Sequence, residues 1–145
     1  MQSKSANWYE VTAKYLKMDN DGIEKRVSEI FVVDAVSFTE AEKRIIKEVS
    51  EFGKAVEVKK INPAPFREVF FDDLDSEAKW FQAKLAFIES DEETGKEKRS
   101  NVVYLVQAED FDEALSNINK VMKGSMEDFL TANIAETKIC AVFIH

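Results

Sequence analysis

Cys140 carries the only thiol and His145 the only imidazole in this 145-residue chain. Nucleophilic catalysis by a thiolate needs a base oriented towards it and a third group holding the base. Cys140 and His145 lie on one short apolar stretch and its tail, too close together in sequence to be aimed at one another, so a catalytic dyad is not expected. A structural or catalytic zinc needs three or four nitrogen or sulfur ligands, and only these two side chains supply them. No GxGxxG or GxxxxGK[ST] pattern occurs, and with four glycines no phosphate-cradling loop is visible. The run Met18-Asp19-Asn20-Asp21-Gly22 invites a calcium reading. Aligning Gly22 with the glycine of a calcium loop puts Lys17 at the first ligand position and Ser28 where a bidentate Glu belongs, so a hairpin turn is expected instead. The 28 acidic residues include no pair singled out by its spacing. The residue set excludes more chemistry than it suggests, and no cofactor is implied.

What remains is aromatic and basic. Trp8 and Trp80 open two matching segments, with Lys14, Lys84, Lys98 and Arg99 nearby in sequence. Tryptophans on a sheet surface beside cations form stacking platforms for single-stranded nucleic acid. Tryptophan is more often buried, so packing at strand ends is the plainer reading. These six residues are the candidate ligand or partner surface.

The elements that must position them are written twice. Trp8-Tyr9-Glu10-Val11 returns as Trp80-Phe81-Gln82-Ala83, and Ile30-Phe31-Val32-Val33 as Val103-Tyr104-Leu105-Val106. Phe38-Thr39-Glu40-Ala41 returns as Phe111-Asp112-Glu113-Ala114, and Val69-Phe70 as Val142-Phe143, always 72 or 73 residues on. Two copies of one supersecondary unit are expected.

In each copy Tyr9, Val11, Ala13 and Tyr15, or Phe81, Ala83, Leu85 and Phe87, alternate with polar residues as one face of a strand. Asp21-Gly22 and Thr94-Gly95 then turn a hairpin. The second strands, Val27 to Val36 and Val102 to Ala108, are apolar on both faces and require cover on both. Thr39 and Asp112 are expected to cap amphipathic helices in which Ala41, Ile45, Val49 and Phe52, and Ala114, Ile118 and Met122, recur at helical spacing. Gly53 and Gly124 mark the helix ends. Third strands follow at Val56 to Ile61, continuing at Phe66 to Phe71, and at Phe129 to Ile134, continuing at Ile139 to Ile144. Asn62-Pro63-Ala64-Pro65 breaks the first of them.

The expectation is an α+β protein of two β-β-α-β repeats, forming antiparallel or mixed sheets with two amphipathic helices packed on them. Each repeat should order its strands 2-1-3, and the copies should meet at, or cover, one another's second strands. The repeats span residues 1–71 and 80–145, joined by the acidic linker 72–79, within one compact domain.

A formal charge of −8 and a pI near 4.8 argue against a surface built to neutralise duplex phosphates. A lone cysteine between apolar neighbours suggests a buried strand thiol in a reducing compartment. The N-terminus lacks the apolar run of a signal peptide and no segment reaches the ~20 apolar residues of a membrane helix, so a cytoplasmic location is expected.

The stretch Trp8-Tyr9-Glu10-Val11-Thr12-Ala13-Lys14-Tyr15, with Phe38-Thr39-Glu40-Ala41-Glu42 and Tyr104-Leu105-Val106-Gln107-Ala108 downstream, resembles a bacterial and bacteriophage family known as domain of unknown function 4494. That resemblance implies a small intracellular single-domain protein and transfers no activity, cofactor or catalytic residue. The expected function is a non-catalytic binding or regulatory module acting through a protein partner, with homodimerisation through strand edges as one possibility. The alternative is a single-stranded nucleic-acid binder using the two tryptophans.

Overall fold

The computed structural model describes residues 1–125 and 127–145. It is an α+β protein with, among the described residues, nine strands and two helices: β1 Gln2–Lys4, β2 Trp8–Met18, β3 Glu24–Asp34, α1 Phe38–Val49, β4 Lys54–Pro63, β5 Phe66–Phe71, β6 Lys79–Ser90, β7 Glu97–Ala108, α2 Phe111–Met122, β8 Asp128–Glu136 and β9 Ile139–Phe143. The strands form two mixed sheets, one ordered β1-β5-β7-β6-β8 and the other β4-β2-β3-β9.

The hairpins form where the turn residues require them. β2 pairs antiparallel with β3 from Trp8↔Asp34 to Met18↔Glu24, and β6 with β7 from Lys79↔Ala108 to Ser90↔Glu97. Gly22 and Gly95 take positive φ, 78° and 68°, at the two turns, the region an L side chain disfavours. The Asp19 carboxylate accepts the amides of Asp21 and Ile23, both at 2.9 Å, which makes the acidic run a turn.

Each helix is capped two residues before the expected position. The caps are Ser37, whose Oγ accepts the Glu40 amide at 3.1 Å, and Asp110, whose Oδ1 accepts the Glu113 amide at 2.8 Å. Glu40 rather than Glu42 completes the first box, accepting the Val36 amide at 3.1 Å. Both pairs have the spacing of a capping box, so the error lay in choosing between two overlapping ones. α1 ends at Ser50, ahead of Gly53, and Gly53 serves a different purpose: a β-carbon there would fall into the Tyr15 ring. Each helix buries its alanine-isoleucine stripe on one sheet face. Ala41, Ile45 and Val49 pack with Val11, Ala13 and Tyr15, while Ala114 and Ile118 pack with Phe81, Ala83, Leu85 and Phe87.

The 2-1-3 order is present as β3-β2-β4 and β7-β6-β8. The third strands, however, do not simply continue. β5 leaves β4 and pairs in parallel with β7, while β9 leaves β8 and pairs in parallel with β3. The second strands are thereby interior, which explains why they are apolar on both faces. The sheets accordingly hold five and four strands, in place of three plus three or a single sheet of six.

The chain divides into two units, one made of Met1–Ser5 and Pro65–Thr137 and the other of Ala6–Ala64 and Lys138–His145. These boundaries differ from the sequence halves at 71 and 80. Residues 72–79 lead from β5 to β6 inside the first unit, and the chain passes between units at Ser5-Ala6, at the proline-flanked Ala64-Pro65 and at Thr137-Lys138. Just before the last two passages an amide closes on a tryptophan carbonyl, Ala64 on Trp8 at 2.8 Å and Thr137 on Trp80 at 2.9 Å.

Candidate functional site

The ends of the exchanged strands are fixed by buried polar groups. In the first unit Gln107, at the end of β7, accepts the amides of Asp72 at 2.9 Å and Asp73 at 3.0 Å, just past β5. In the second unit Asp34, 73 residues earlier at the end of β3, accepts the His145 amide at 3.0–3.1 Å, just past β9. A helix residue supports each from behind: Asn117 donates to the Gln107 carbonyl at 3.0 Å and Arg44 to the Asp34 carbonyl at 2.6 Å. Arg44 also lies 3.6 Å from the Asp34 carboxylate, giving that buried charge the partner it requires. The His145 ring bridges Asp34 at 2.8 Å and Glu48 on α1 at 3.0 Å. His145 is therefore part of a strand-end clasp and is partnered by carboxylates, not by Cys140.

Cys140 sits in a separate cluster and is exposed rather than buried. The register passes directly from Ile30↔Ile139 to Phe31↔Ala141, so Cys140 is a bulge residue. Its sulfur donates to the Lys138 carbonyl at 3.8 Å and is influenced by the Glu29 carboxylate, which accepts from the Tyr15 hydroxyl at 2.9 Å and lies 3.4 Å from Lys17 Nζ. Desolvation, reinforced by the Glu29 carboxylate, pushes the Cys140 thiol up to about 11, and the same two causes raise Tyr15. Burial disfavours the Glu29 carboxylate, yet the Cys140 thiol, the bond from Tyr15 and the Lys17 charge outweigh it and hold its pKa below the ordinary value. A thiol raised in this way is a poor nucleophile at neutral pH.

The six residues singled out from sequence do not form a platform. Trp8 and Trp80 are buried, at 2% and 3% exposure, so neither offers a ring face to a base. The Trp8 indole nitrogen has no hydrogen-bond partner among the described residues. Lys14 is half-buried on β2, in the second unit. Lys84 is exposed on β6 between Val103 and Asn133, and Lys98 and Arg99 are exposed on β7 opposite Glu89 and Ile88, in the first unit. Their burial follows the plainer of the two sequence readings, that tryptophan packs inside, and removes the stacking platform. Among the described residues no group of three or more His, Cys, Asp and Glu side chains could hold a metal, and no helix is long and apolar enough to cross a membrane.

The feature the sequence reading missed is a difference between corresponding sheet edges. In the first unit the outer edge of β5 carries β1, antiparallel, with Gln2↔Phe71, Ser3↔Phe70 and Lys4↔Val69 in register. In the second unit β9 holds the corresponding place and is outermost. The only sequence signal was negative: Gln2-Ser3-Lys4 is too short and polar to read as a strand.

No curated protein and no solved structure matches the chain. The family model described as Domain of unknown function (DUF4494) matches residues 7–145. The chain belongs to that family.

Proposed function

From that membership, which brings no activity with it, we propose that this is a non-catalytic cytoplasmic binding module that holds a protein partner by adding the partner's extended strand to the outer edge of β9. The observation that carries the reading is the covered state of β5. β5, which lies parallel to β7 as β9 lies parallel to β3 and is likewise pinned at its end by a buried polar side chain, already has an antiparallel strand on its outer edge. Strand addition draws affinity from main-chain hydrogen bonds and specificity from alternate side chains, and it needs neither a cofactor nor a nucleophile. The apolar stretch from Ile139 to Ile144 lacks the charges and prolines with which proteins usually protect an edge. A single thiol, Cys140, accords with a reducing compartment.

The test is selection from a random-peptide library on the immobilised protein, followed by hydrogen-exchange mapping of the bound complex. The reading expects selected peptides with apolar residues at alternate positions that protect the amides from Val142 to Ile144. Peptides that protect only other segments, or a specific turnover found in an activity screen, would overturn it.

A further inference from the structure

We infer that the outer edge of β5 is a second strand-receiving surface, held by the chain's own β1, and that a longer extended segment of another protein displaces β1 from it. The site stands apart from β9 and does not depend on the reading above. Its starting point is how little holds β1. Three of its residues are in register with β5, and of these Gln2 and Ser3 are exposed. Its flanks add one hydrogen bond, Ser5 Oγ to Glu68 at 3.0 Å, and one ion pair, the Met1 ammonium 3.7 Å from Asp72. Asp72 is exposed, and ion pairs at exposed carboxylates contribute little.

The strand beneath is held far more firmly. Phe66, Val69, Phe70 and Phe71 are buried, β7 pairs along the inner side of β5, and Gln107 fixes the amides just past Phe71. The edge is formed before any partner arrives, so strand addition has to order only the incoming segment.

β1 also uses only part of that edge. The ladder runs from Gln2↔Phe71 to Lys4↔Val69, while β5 extends back to Phe66. The chain does not follow it. It passes into the other unit at Ser5-Ala6, and the Asn7 carbonyl accepts the Ala35 amide at 3.1 Å. A free segment has no such obligation and can continue the ladder to Glu68 and, beyond the Arg67 bulge, to Phe66. β1 competes through its attachment, an effective concentration on the order of mM for a short tether. Greater length is what lets a partner overcome it. The contacts of β1 state the rest of the partner's chemistry: antiparallel direction, a hydroxyl opposite Glu68 and a cation near Asp72.

The probe is the octapeptide Met-Gln-Ser-Lys-Ser-Val-Thr-Val, labelled at its C-terminus with fluorescein, which repeats β1 and then continues as a strand. It is titrated against the full chain and against a Gln2→Pro, Ser3→Pro double variant of the full chain. Successive amides of a strand point to opposite sides, so one of the two prolines removes a donor that faces β5 and weakens the pairing of β1. Anisotropy is expected to show affinity higher by about tenfold or more for the variant, because β1 no longer occupies the site. In two-dimensional NMR of the wild type, saturating peptide is expected to shift the amides of Glu68 to Phe71 while those of Ser3 and Lys4 move to the positions of unstructured chain. Circular dichroism melts check that the variant folds, and if it does not, the NMR measurement on the wild type decides alone. Equal affinity for the two proteins, no binding to a folded variant, or saturating peptide that leaves Ser3 and Lys4 in place overturns the proposal. Dimerisation of the variant without peptide, seen by sedimentation velocity, assigns the vacated edge to a second copy and overturns it as well. Failure here leaves strand addition at β9 standing, because the probe is built for β5 and the shifts are read at Glu68 to Phe71 rather than at Val142 to Ile144.

Discussion

Glu29 shows how a single carboxylate can set the chemistry of its neighbours. It accepts from Tyr15 and lies near Lys17, and its charge favours the protonated forms of Tyr15 and the Cys140 thiol. A thiol moved from 9.0 to about 11 has roughly 100-fold less thiolate at pH 8. Cys140 should therefore alkylate with iodoacetamide about two orders of magnitude more slowly than a free cysteine, although the residue is exposed. Glu29→Gln should recover part of that rate, and a wild-type rate equal to that of free cysteine would contradict the cluster. The linkage has a sign. Cys140 and Tyr15 are both raised in the folded state, so their contribution is complete below about pH 9 and is lost as pH rises towards 11 and beyond. Glu29 is lowered, so its contribution is present above its ordinary value and is lost as pH falls. Denaturant melts should show stability declining between pH 9 and 11, with a smaller decline in Tyr15→Phe. That variant should itself be less stable at neutral pH by about 1–2 kcal/mol, the scale of a hydrogen bond to a charged group.

At the scale of elements, stability depends on how strand ends are fastened. Gln107 satisfies two amides that follow β5 and donates to the Asp73 carbonyl and the Ser76 hydroxyl at 2.6 and 3.0 Å. Gln107→Leu keeps the volume and strands those groups, so it should cost about 1–3 kcal/mol in urea melts. A loss below a few tenths would mean that water replaces the side chain freely. Gly53→Ala tests close packing in the second unit. The added methyl has no space beside the Tyr15 ring and the Leu16 carbonyl, and overpacking of this kind costs about 1–3 kcal/mol. Gly22→Ala places an L side chain at positive φ in an open turn where a β-carbon meets nothing, so any cost there comes from backbone strain alone. The helix caps show why the sequence misplaced an element boundary. Ser37 and Thr39 are both hydroxyl residues with a glutamate three positions on, and only the path of the chain out of β3 selects Ser37.

For the whole molecule, exchange of β5 and β9 predicts how the chain can be cut. A fragment of residues 1–71 lacks β9 on β3, and a fragment of residues 80–145 lacks β5 on β7. Each would expose an apolar strand that the intact chain covers, so each should be unfolded or aggregated alone, and a mixture of the two should regain native circular dichroism. Independent folding of either fragment would show that the exchanged strand is dispensable. Removing residues 138–145 from the full chain should abolish amide protection in β2 and β3 first, because β9 and the Asp34–His145 clasp belong to that unit. Buried Trp8 and Trp80 carry a further consequence: iodide should quench their fluorescence weakly in the native state and strongly after unfolding.

The sequence by itself determined the elements and their pairing within each hairpin, because alternation in Tyr9-Val11-Ala13-Tyr15, glycine at Gly22 and Gly95 and helical spacing in Ala41-Ile45-Val49 are local and act over a few residues. It also determined that no familiar thiol, zinc or phosphate-loop chemistry was to be expected. Tertiary structure decided where β5 and β9 go. An apolar strand is equally satisfied by any neighbour that offers hydrogen bonds and a covered face, so nothing in Val69-Phe70 or Val142-Phe143 states whether the partner lies in the same half or the other. The same indifference hid the candidate site. The residues of β9 have an unremarkable apolar pattern, and only the three-dimensional comparison with β5, whose outer edge β1 covers, distinguishes a closed edge from an open one.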